Sequence, residues 1–320
     1  MQQNGIQGRL ENSSHYAWGM PQTAFFGAPL VIFHAGLGPG DSLLHEGLKA
    51  PKHLSELRRI GRQLQKQLQK KSTDAERLGY AGIEQLEAFP LFNSGLGAKL
   101  QKDGVARLSA SVMRGDDQRF ASVSNLESIV HASHLTKALM KESDRNLSGI
   151  FATAYAMEKG IPFSTPETPE RIQEWLRKSS GLSGTVGCIA LDEKGRTFAA
   201  TSTGGRGFER PGRISDSGTP TGNYATPFGA VSCTGVGEEI LEAGLAVSVL
   251  TRVEDGSDLN EAVWKSFARH PLKRFGLIAL DQKGHAVIHA TEGTLFYGLV
   301  TKDRLEVGLC SQDWIKVISR

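Results

Sequence analysis

The sequence predicts a layered domain of the α+β or α/β class, because strand-like and helix-like segments flank one another in both halves of the chain. A short β-type run at Leu30–His34 precedes two amphipathic helical segments, and the second half opens with two strand-like runs after Thr185. The chain has 320 residues, of which 39% are hydrophobic and 22% are charged. This composition is typical of a soluble protein that buries a sizeable core.

The spacing of apolar residues predicts where the strands and helices of the first half lie. The run Leu30–His34 is predicted to be a buried strand that ends in a sharp glycine-rich turn at residues 35–40. A helix is predicted over residues 49–71, with leucines on one face and a cationic outer face formed by Lys52, Arg58, Arg59, Arg62, Lys66 and Lys70. Thr73 and Glu76 have capping-box spacing, so a second helix should begin there and stop at Pro90. A turn-rich loop at residues 91–97 then leads into a strand over residues 105–113.

The second half carries an internal echo. The segment Gly187–Gly195 reads GCIALDEKG and returns at Gly276–Gly284 as GLIALDQKG, so both copies are predicted to be hairpins that turn at Asp-x-Lys-Gly. Arg274 stands where the first copy has Thr185, so the hairpin itself does not require the threonine. Helices are expected at residues 237–250 and 259–270. Upstream, residues 163–184 are rich in Ser, Thr, Pro and Gly around a short helical piece, and are predicted to be exposed and mobile.

Composition also limits the partners. No run approaches the ~18 consecutive apolar residues of a membrane span, and residues 1–14 lack the pattern of a secretory signal, so we expect a cytoplasmic protein with no membrane partner. Residues 1–24 are predicted to be a loose leader. Cys188, Cys233 and Cys310 are predicted to be core thiols rather than a disulfide framework or a metal site. The net charge of +3 does not imply nucleic acid, and the basic helix is interpreted as a solvated face because no aromatic residues interleave its charges.

Four short motifs follow one another in the second half. Gly184-Thr185-Val186-Gly187 comes after the small-residue segment, and Thr201–Gly205 (TSTGG), Pro211–Ser217 (PGRISDS) and Thr234–Glu238 (TGVGE) come after it. In this order and spacing they resemble the plant-type L-asparaginase and isoaspartyl peptidase family. In the first half, residues 92–97 (FNSGLG) and 31–36 (VIFHAG) are similar to its Phe-Asn-Ala-Gly-x-Gly loop and its Val-Ile-His-Gly-Gly opening. Ala35 in place of a glycine and Leu108–Ser111 in place of Met-Asp-Ala-Ser depart from the family pattern.

The resemblance implies a single domain with the four-layer αββα sandwich of the N-terminal-nucleophile hydrolases. It implies a precursor that cuts itself between Gly184 and Thr185 into chains 25–184 and 185–320, and a dimer of such cleaved pairs. The implied reaction is hydrolysis of β-aspartyl dipeptides and of the side-chain amide of L-asparagine through an acyl-threonine intermediate, without an organic or redox cofactor. The preferred leaving group stays open, because it lies outside the part of the substrate that the motifs would hold.

The chemistry of Thr185 agrees with such a cut. A threonine hydroxyl is a poor nucleophile at neutral pH and needs a base within hydrogen-bond reach. Cleavage before Thr185 would free an α-amine with an ordinary pKa of ~7.7–8.0, held covalently beside the hydroxyl. The same hydroxyl can attack the carbonyl of Gly184, whose lack of a side chain leaves that carbon unhindered.

The resemblance also assigns roles to individual residues. Thr203 should hydrogen-bond the Thr185 hydroxyl, and the Thr234 hydroxyl and the Gly235 amide should hold the oxyanion. Arg213 should bind the substrate α-carboxylate, while Asp216 and the Gly237 carbonyl should bind its α-ammonium. Asn93 is expected near the nucleophile. A structural sodium ion is implied on the carbonyls of Leu86, Glu87, Phe89, Phe92, Ser94 and Leu96, since carbonyl oxygens suit hard cations.

Other interpretations stay open at this point. Without the motifs, Arg213 and Asp216 would be interpreted as a surface ion pair and Asn93 as a turn residue. A glycosylasparaginase would show Thr-Ser-Thr-Asn-Gly and Thr-Gly-Asp-Gly, and a taspase-type endopeptidase would show Ser-Ser-Gly-Gly, so both fit this sequence less well. A non-enzymatic binding protein that uses the basic helix would not need Thr185, Thr203 and Thr234 together.

Overall fold

The fold consists of two sheets with helices on their outer sides. A computed structural model describes residues 23–38, 50–70, 73–178, 184–311 and 314–317. The strands are β1 (Thr23–Phe25), β2 (Leu30–Gly38), β3 (Leu108–Arg114), β4 (Phe120–Leu126), β5 (Asn146–Ser148), β6 (Val186–Leu191), β7 (Thr197–Thr203), β8 (Asn223–Thr226), β9 (Gly229–Gly235), β10 (Phe275–Asp281), β11 (His285–Ala290), β12 (Thr294–Val300), β13 (Leu305–Ser311) and β14 (Trp314–Val317). The helices are α1 (Ala50–Leu68), α2 (Ala75–Glu87), α3 (Ala132–Leu139), α4 (Gly149–Glu158), α5 (Pro169–Leu176), α6 (Gly237–Ala243), α7 (Leu245–Glu254) and α8 (Leu259–Ala268).

Within the described residues, the strands form a large sheet with nine strands, in the order β14-β13-β12-β2-β6-β7-β3-β4-β5, and a small sheet with five, in the order β1-β11-β10-β9-β8. Their pairings are antiparallel except for β4 with β5. One apolar cluster joins α1, α2, α3 and α4 to the outer face of the large sheet, and another joins α6, α7 and α8 to the small sheet. A third cluster fills the space between the sheets. This is the predicted four-layer αββα sandwich.

Several elements match the expectation. Helix α1 buries Leu54, Leu57, Leu64 and Leu68, while Lys52, Arg59, Arg62 and Lys66 are exposed, as expected for a solvated basic face. The two predicted hairpins are β6–β7 and β10–β11, one in each sheet. The aspartate that opens each turn accepts two backbone amides through one carboxylate oxygen: Lys194 and Arg196 for Asp192, and Lys283 and His285 for Asp281. The predicted core thiols Cys188, Cys233 and Cys310 are buried and form no disulfide with one another.

Four local predictions are wrong. The fold begins inside the presumed leader, because β1 pairs with β11. Strand β2 does not turn at Ala35 but continues to Gly38, since Gly36 adopts a φ of +91° and the register shifts opposite it. The N-cap of α2 is Asp74, whose side chain accepts a hydrogen bond from the Arg77 amide at 2.7 Å. The Thr73 hydroxyl instead donates to the backbone carbonyl of Gln67. The single helix predicted at residues 237–250 is divided into α6 and α7 at Gly244, which has a φ of +56°.

The segment before Thr185 is better ordered than predicted. Thr168 caps α5, and the buried Arg171 donates from Nε to the carbonyl of Gly97 at 2.6 Å. These contacts hold residues 166–178 against the loop at residues 91–97, so they are not the mobile segment that composition indicated. The remainder of the predicted mobile segment, residues 179–183, and most of the predicted leader lie outside the described residues.

Candidate active site

Thr185 lies directly before β6, in the middle of the large sheet. Strand β6 pairs with β2 on one side and with β7 on the other. Val186 is opposite Ser202 in this register, so one further step places Thr203 beside Thr185. The backbone of Gly184 lies so close to Gly36 that a Cβ on Gly184 would be 2.4 Å from the Gly36 Cα. Both glycines are therefore needed to bring the predicted scissile bond against β2.

The Thr185 side chain is buried, and its hydroxyl contacts Ser217. The two hydroxyl oxygens are 3.3 Å apart, and the carbonyl of Ser217 accepts a 2.6 Å hydrogen bond from Ser111 Oγ in β3. Ser217 had no predicted role. Its signal was its place in the PGRISDS motif directly after Asp216, where a 3-10 turn at Asp216–Gly218 directs it toward the nucleophile.

Asn93 and Thr203 fix the loop next to the nucleophile. The Asn93 side chain accepts a hydrogen bond from the Lys99 amide at 2.9 Å and donates one to the carbonyl of Gly205. The backbone carbonyl of Asn93 accepts a hydrogen bond from the Gly204 amide. The Thr203 hydroxyl accepts a hydrogen bond from the Gly205 amide at 3.1 Å. Asn93 thus holds the loop at residues 91–97 against the end of β7, and the predicted bond from Thr203 to Thr185 stays a prediction.

The predicted oxyanion residues lie at the end of β9. Thr234 is fully buried, and within the described part of the chain its hydroxyl has no hydrogen-bond partner. Gly235 has a φ of +137°, and a Cβ there would be 2.5 Å from the carbonyl oxygen of Arg274. A buried hydroxyl without a hydrogen-bond partner lowers the stability of the fold. A threonine at position 234 is therefore understandable if an oxygen of the reacting group accepts a hydrogen bond from its hydroxyl.

Arg213, Asp216 and Gly237, the residues predicted to hold the head group, lie close together. A Cβ on Gly237 would be 2.6 Å from Arg213 Nη2 and 2.6 Å from Asp216 Oδ1, so only glycine fits between the two charges. The guanidinium donates from Nε and Nη2 to the two carboxylate oxygens of Glu238, at 2.7 and 2.9 Å. Glu238 is partly exposed and occupies the fork that a carboxylate ligand would use.

Asp216 is the buried acidic partner in this group. Burial raises its pKa to about 6, although a hydrogen bond from Ser215 and the charge of Arg213 act in the opposite direction. Its Oδ1 accepts the Ser215 hydroxyl at 3.1 Å, and its Oδ2 has no partner among the residues described. An ammonium group on a ligand would supply both the missing hydrogen bond and the missing charge.

A polar network behind β6 was not foreseen. His34 Nε2 is 3.0 Å from Ser232 Oγ, and this hydroxyl is 2.7 Å from Thr201 Oγ1, which donates to Asn223. Burial lowers the pKa of His34 to about 3, so the ring is neutral at neutral pH. His34 pairs with Gly187, where a Cβ would be 2.4 Å from its Nε2. The only sequence signal was a histidine that ends an apolar strand.

The positions predicted for a sodium ion form a loop that curls back on itself. The Leu96 amide donates to the carbonyl of Glu87 at 2.7 Å, and Gly95, with a φ of +52°, approaches the same carbonyl. The Glu87 carboxylate is fully buried and accepts hydrogen bonds from the hydroxyls of Ser133 and Ser202. Ser94 Oγ in turn donates to Ser202, next to Thr203. The loop is therefore tied to the strand that carries Thr203.

Comparison with known proteins agrees with this geometry. The model of the asparaginase family matches residues 28–309. An isoaspartyl peptidase/L-asparaginase from Synechocystis is 44% identical over 225 residues, which cover 64% of this chain and 68% of the relative. The enzyme of the same name from Rattus norvegicus is 34% identical over 246 residues, covering 71% and 74%. A plant-type L-asparaginase from Pyrobaculum calidifontis is 32% identical over 227 residues, covering 64% and 76%.

The match extends over both halves of the chain, and it includes β2, the loop at residues 91–97 and every motif that meets around Thr185. The motifs that resemble this family thus lie on or beside strands β6, β7 and β9 of an αββα sandwich. The chain belongs to the asparaginase family.

Proposed function

We propose that this chain is the precursor of a threonine hydrolase that cleaves β-aspartyl dipeptides and the side-chain amide of L-asparagine. One observation carries the proposal: the buried Thr185 hydroxyl contacts Ser217, the residue after Asp216. The Arg213–Asp216 pair flanks Gly237, three residues after Thr234, whose hydroxyl has no partner among the described residues. The similar proteins named above are isoaspartyl peptidases and asparaginases, which supports these substrates over those of the glycosylasparaginase and taspase types.

The head group of the substrate explains the charged residues. A β-aspartyl substrate carries a free α-carboxylate and a free α-ammonium on the carbon next to the reacting side chain. Arg213 can bind the carboxylate with two parallel hydrogen bonds, once that carboxylate displaces Glu238 from the fork. The ammonium would pair with Asp216 and the Gly237 carbonyl. This arrangement leaves the leaving group outside the clamp, so an amide and a peptide can both enter.

The reaction then follows from the threonine. In the matured chain the free α-amine of Thr185 takes the proton of the Thr185 hydroxyl as its oxygen attacks the side-chain carbonyl of the substrate. The oxyanion that forms receives hydrogen bonds from the Thr234 hydroxyl and the Gly235 amide. The α-ammonium returns this proton to the leaving nitrogen as the C–N bond breaks, so ammonia or the amino group of the next residue departs. An acyl-threonine ester remains, which water hydrolyses to aspartate and the free threonine hydroxyl.

Maturation provides the first test. The Thr185→Ala chain should remain whole, while wild type and Thr185→Ser, which keeps the hydroxyl, should each yield two fragments, the smaller beginning at residue 185. Denaturing gels with mass spectrometry of the fragments give the answer. Cleavage of Thr185→Ala at the same bond would refute a cut made by the Thr185 hydroxyl.

The proposal extends to a dimer of cleaved pairs, and helix α4 supports it. Ile150, Phe151 and Met157 on this helix are 72%, 75% and 61% exposed. Monomeric proteins seldom expose several large apolar side chains on one short element, and such patches mark interfaces. A second copy of the chain would cover this face.

A structural sodium ion on the loop at residues 86–96 is also proposed. The loop turns its backbone inward at Gly95 and closes through the Leu96 amide, while the buried carboxylate of Glu87 adds a negative charge. Carbonyl oxygens would be the ligands, as hard cations prefer.

A cytoplasmic location completes the proposal, and the buried thiols of Cys188, Cys233 and Cys310, which form no disulfide with one another, agree with a reducing compartment. Within the described ranges, no helix combines the length and apolarity that a bilayer crossing requires.

A further inference from the structure

A small cavity lies against the predicted cleavage site. It is lined by Gly184, His53, Asn93, Leu91, Phe296 and the end of β2, and it offers about 10 Å³ to the centre of a water molecule. That volume is close to the minimum that a single buried water requires. The cavity is therefore the size of one water and touches the residue whose carbonyl is attacked in maturation.

His53 is the ionisable side chain of this cavity within the described residues. Asn93 is the other polar side chain in the lining, and its amide is committed elsewhere, because it accepts from the Lys99 amide and donates to the Gly205 carbonyl. Among the described residues, the remaining side chains of the lining are apolar or absent. Within this described part of the lining, His53 is therefore the side chain that can take a proton from a water at this place.

His53 is held firmly by aromatic neighbours. It is 4% exposed, and its ring centroid is 5.2 Å from that of Phe296 and 5.6 Å from that of Phe92. Phe296 lies on β12 and Phe92 on the loop at residues 91–97, so three separate parts of the fold fix the imidazole. Helix α1, whose basic face has no role in the proposed reaction, thereby places its inner face against the cleavage site.

Self-cleavage requires such a water. The Thr185 hydroxyl attacks the Gly184 carbonyl carbon, the C–N bond breaks, and the nitrogen takes the hydroxyl proton, so that an ester and a free α-amine result. A water molecule then adds to the ester carbonyl and gives up one proton to a base. The C–O bond to Thr185 breaks, the threonine oxygen recovers a proton, and Gly184 is left with a carboxylate.

We propose that the cavity holds this hydrolytic water and that His53 accepts its proton, which makes His53 a catalytic residue of maturation. The inference rests on the proposed self-cleavage at Gly184–Thr185. It concerns the second step, the opening of the ester, and leaves the first step to Thr185.

The test separates the two steps in the full-length chain. His53→Phe keeps an aromatic ring between Phe92 and Phe296 but removes the base, and His289→Phe is the matched control, since His289 is a buried histidine 5.1 Å from the ring of Phe267 on the other side of the sandwich. General bases typically contribute ~10²–10⁴-fold, so cleavage of His53→Phe should slow by about that factor while His289→Phe matures at the wild-type rate. The time course is followed on denaturing gels.

Hydroxylamine identifies the slow step, because it attacks esters directly and does not need the base. Adding it to His53→Phe should restore cleavage and yield a fragment that ends in a glycine hydroxamate, detected by mass spectrometry. Maturation of His53→Phe at the wild-type rate would overturn the proposal, and so would slow maturation that hydroxylamine does not restore, because the defect would then precede the ester. If wild type itself stays whole, self-cleavage is refuted instead, which distinguishes the two proposals.

Discussion

At the scale of single residues, the site contains polar atoms that the described protein leaves unsatisfied. The Thr234 hydroxyl and Asp216 Oδ2 are buried and have no partner in the described ranges, and each points to a group that a β-aspartyl substrate would supply. Native proteins pair most of their buried polar atoms, so such exceptions need a reason. The proposed substrate would supply that reason, with an oxyanion that develops in the transition state at one end and an ammonium at the other.

Removing the Thr234 hydroxyl should lower turnover. We expect Thr234→Val, nearly the same shape, to reduce kcat on β-aspartyl dipeptides by ~10²–10³-fold with little change in KM, because the lost hydrogen bond forms in the transition state. Thr197→Val is the control. The Thr197 hydroxyl is also buried, but it donates to the Thr226 carbonyl at 2.6 Å, and Thr197 lies at the end of β7 opposite Thr203. Maturation must be verified first by mass spectrometry. Wild-type turnover in the matured variant would leave the Gly235 amide alone to hold the oxyanion.

The buried charge of Asp216 should cost stability at neutral pH. Burial raises its pKa from 3.8 to about 6, so the folded protein binds this proton more tightly than the unfolded chain. The carboxylate therefore destabilises the fold progressively as pH rises from about 4 to about 6, by at most about 3 kcal/mol. We expect Asp216→Asn to raise the free energy of unfolding at neutral pH and to bring no gain below about pH 4.

Comparing Asp216→Asn with its parent in the Thr185→Ala background keeps every chain uncleaved, so that denaturant titrations report the fold alone. The same substitution in the matured enzyme should weaken substrate binding, because the ammonium loses its charged partner. A variant no more stable than its parent at neutral pH would show that the Asp216 charge is already compensated.

At the scale of elements, the sequence predicted what local spacing controls and missed what distant contacts decide. In both hairpins the aspartate of the Asp-x-Lys-Gly turn binds backbone amides only a few residues away in the chain. The local sequence pattern was therefore enough to predict these hairpins. The division of α6 from α7 at Gly244 was missed, because a glycine inside an apolar helical pattern does not reveal its dihedral angles. His34 and Ser217 were missed because their partners Ser232 and Thr185 are 198 and 32 residues away in the chain.

The two hairpin turns allow a matched prediction. Asp192 also accepts the Ala75 amide at the start of α2 and a hydrogen bond from the Arg196 guanidinium, whereas Asp281 binds within its own turn. We expect Asp192→Ala to lower the free energy of unfolding by about 3 kcal/mol and Asp281→Ala by about half as much, because more buried donors lose their partner in the first case. Denaturant titrations of both variants in the Thr185→Ala background measure the difference. Equal losses would show that the contact with α2 adds nothing.

At the scale of the whole molecule, Thr185 adjoins strand β6 of the large sheet and Thr234 lies on strand β9 of the small sheet, and these two strands pack against each other. The large sheet carries helices α1–α4 on its outer side, and α4 packs on β4 and β5 at the edge of this sheet with three large apolar side chains exposed. In the proposed function, catalysis and assembly would therefore use different faces of the same layer.

An acidic substitution on α4 should therefore affect assembly without affecting the site. We expect Phe151→Asp to shift the protein from dimer to monomer at micromolar concentrations, because a charge in an apolar interface is not compensated. Leu272→Asp is the control, since Leu272 is 93% exposed on the loop that follows α8. Light scattering after size-exclusion chromatography gives the masses. A dimer that survives Phe151→Asp would place the interface elsewhere.

The order of strands in the large sheet determines what becomes of the protein after it is cut. Strands from residues 25–184 and from residues 185–320 alternate in blocks, so that β2 lies between β12 and β6, and β7 lies beside β3. The two fragments would contribute alternating blocks of strands to one sheet. Neither could dissociate without breaking the hydrogen bonds between strands in the middle of that sheet. They also could not easily find each other again, because joining them after unfolding is a meeting of two molecules rather than the closing of one chain. The chain would then have to fold before it is cut, because the cut fragments would not readily refold together. The lifetime of the mature enzyme would be set by its rate of unfolding.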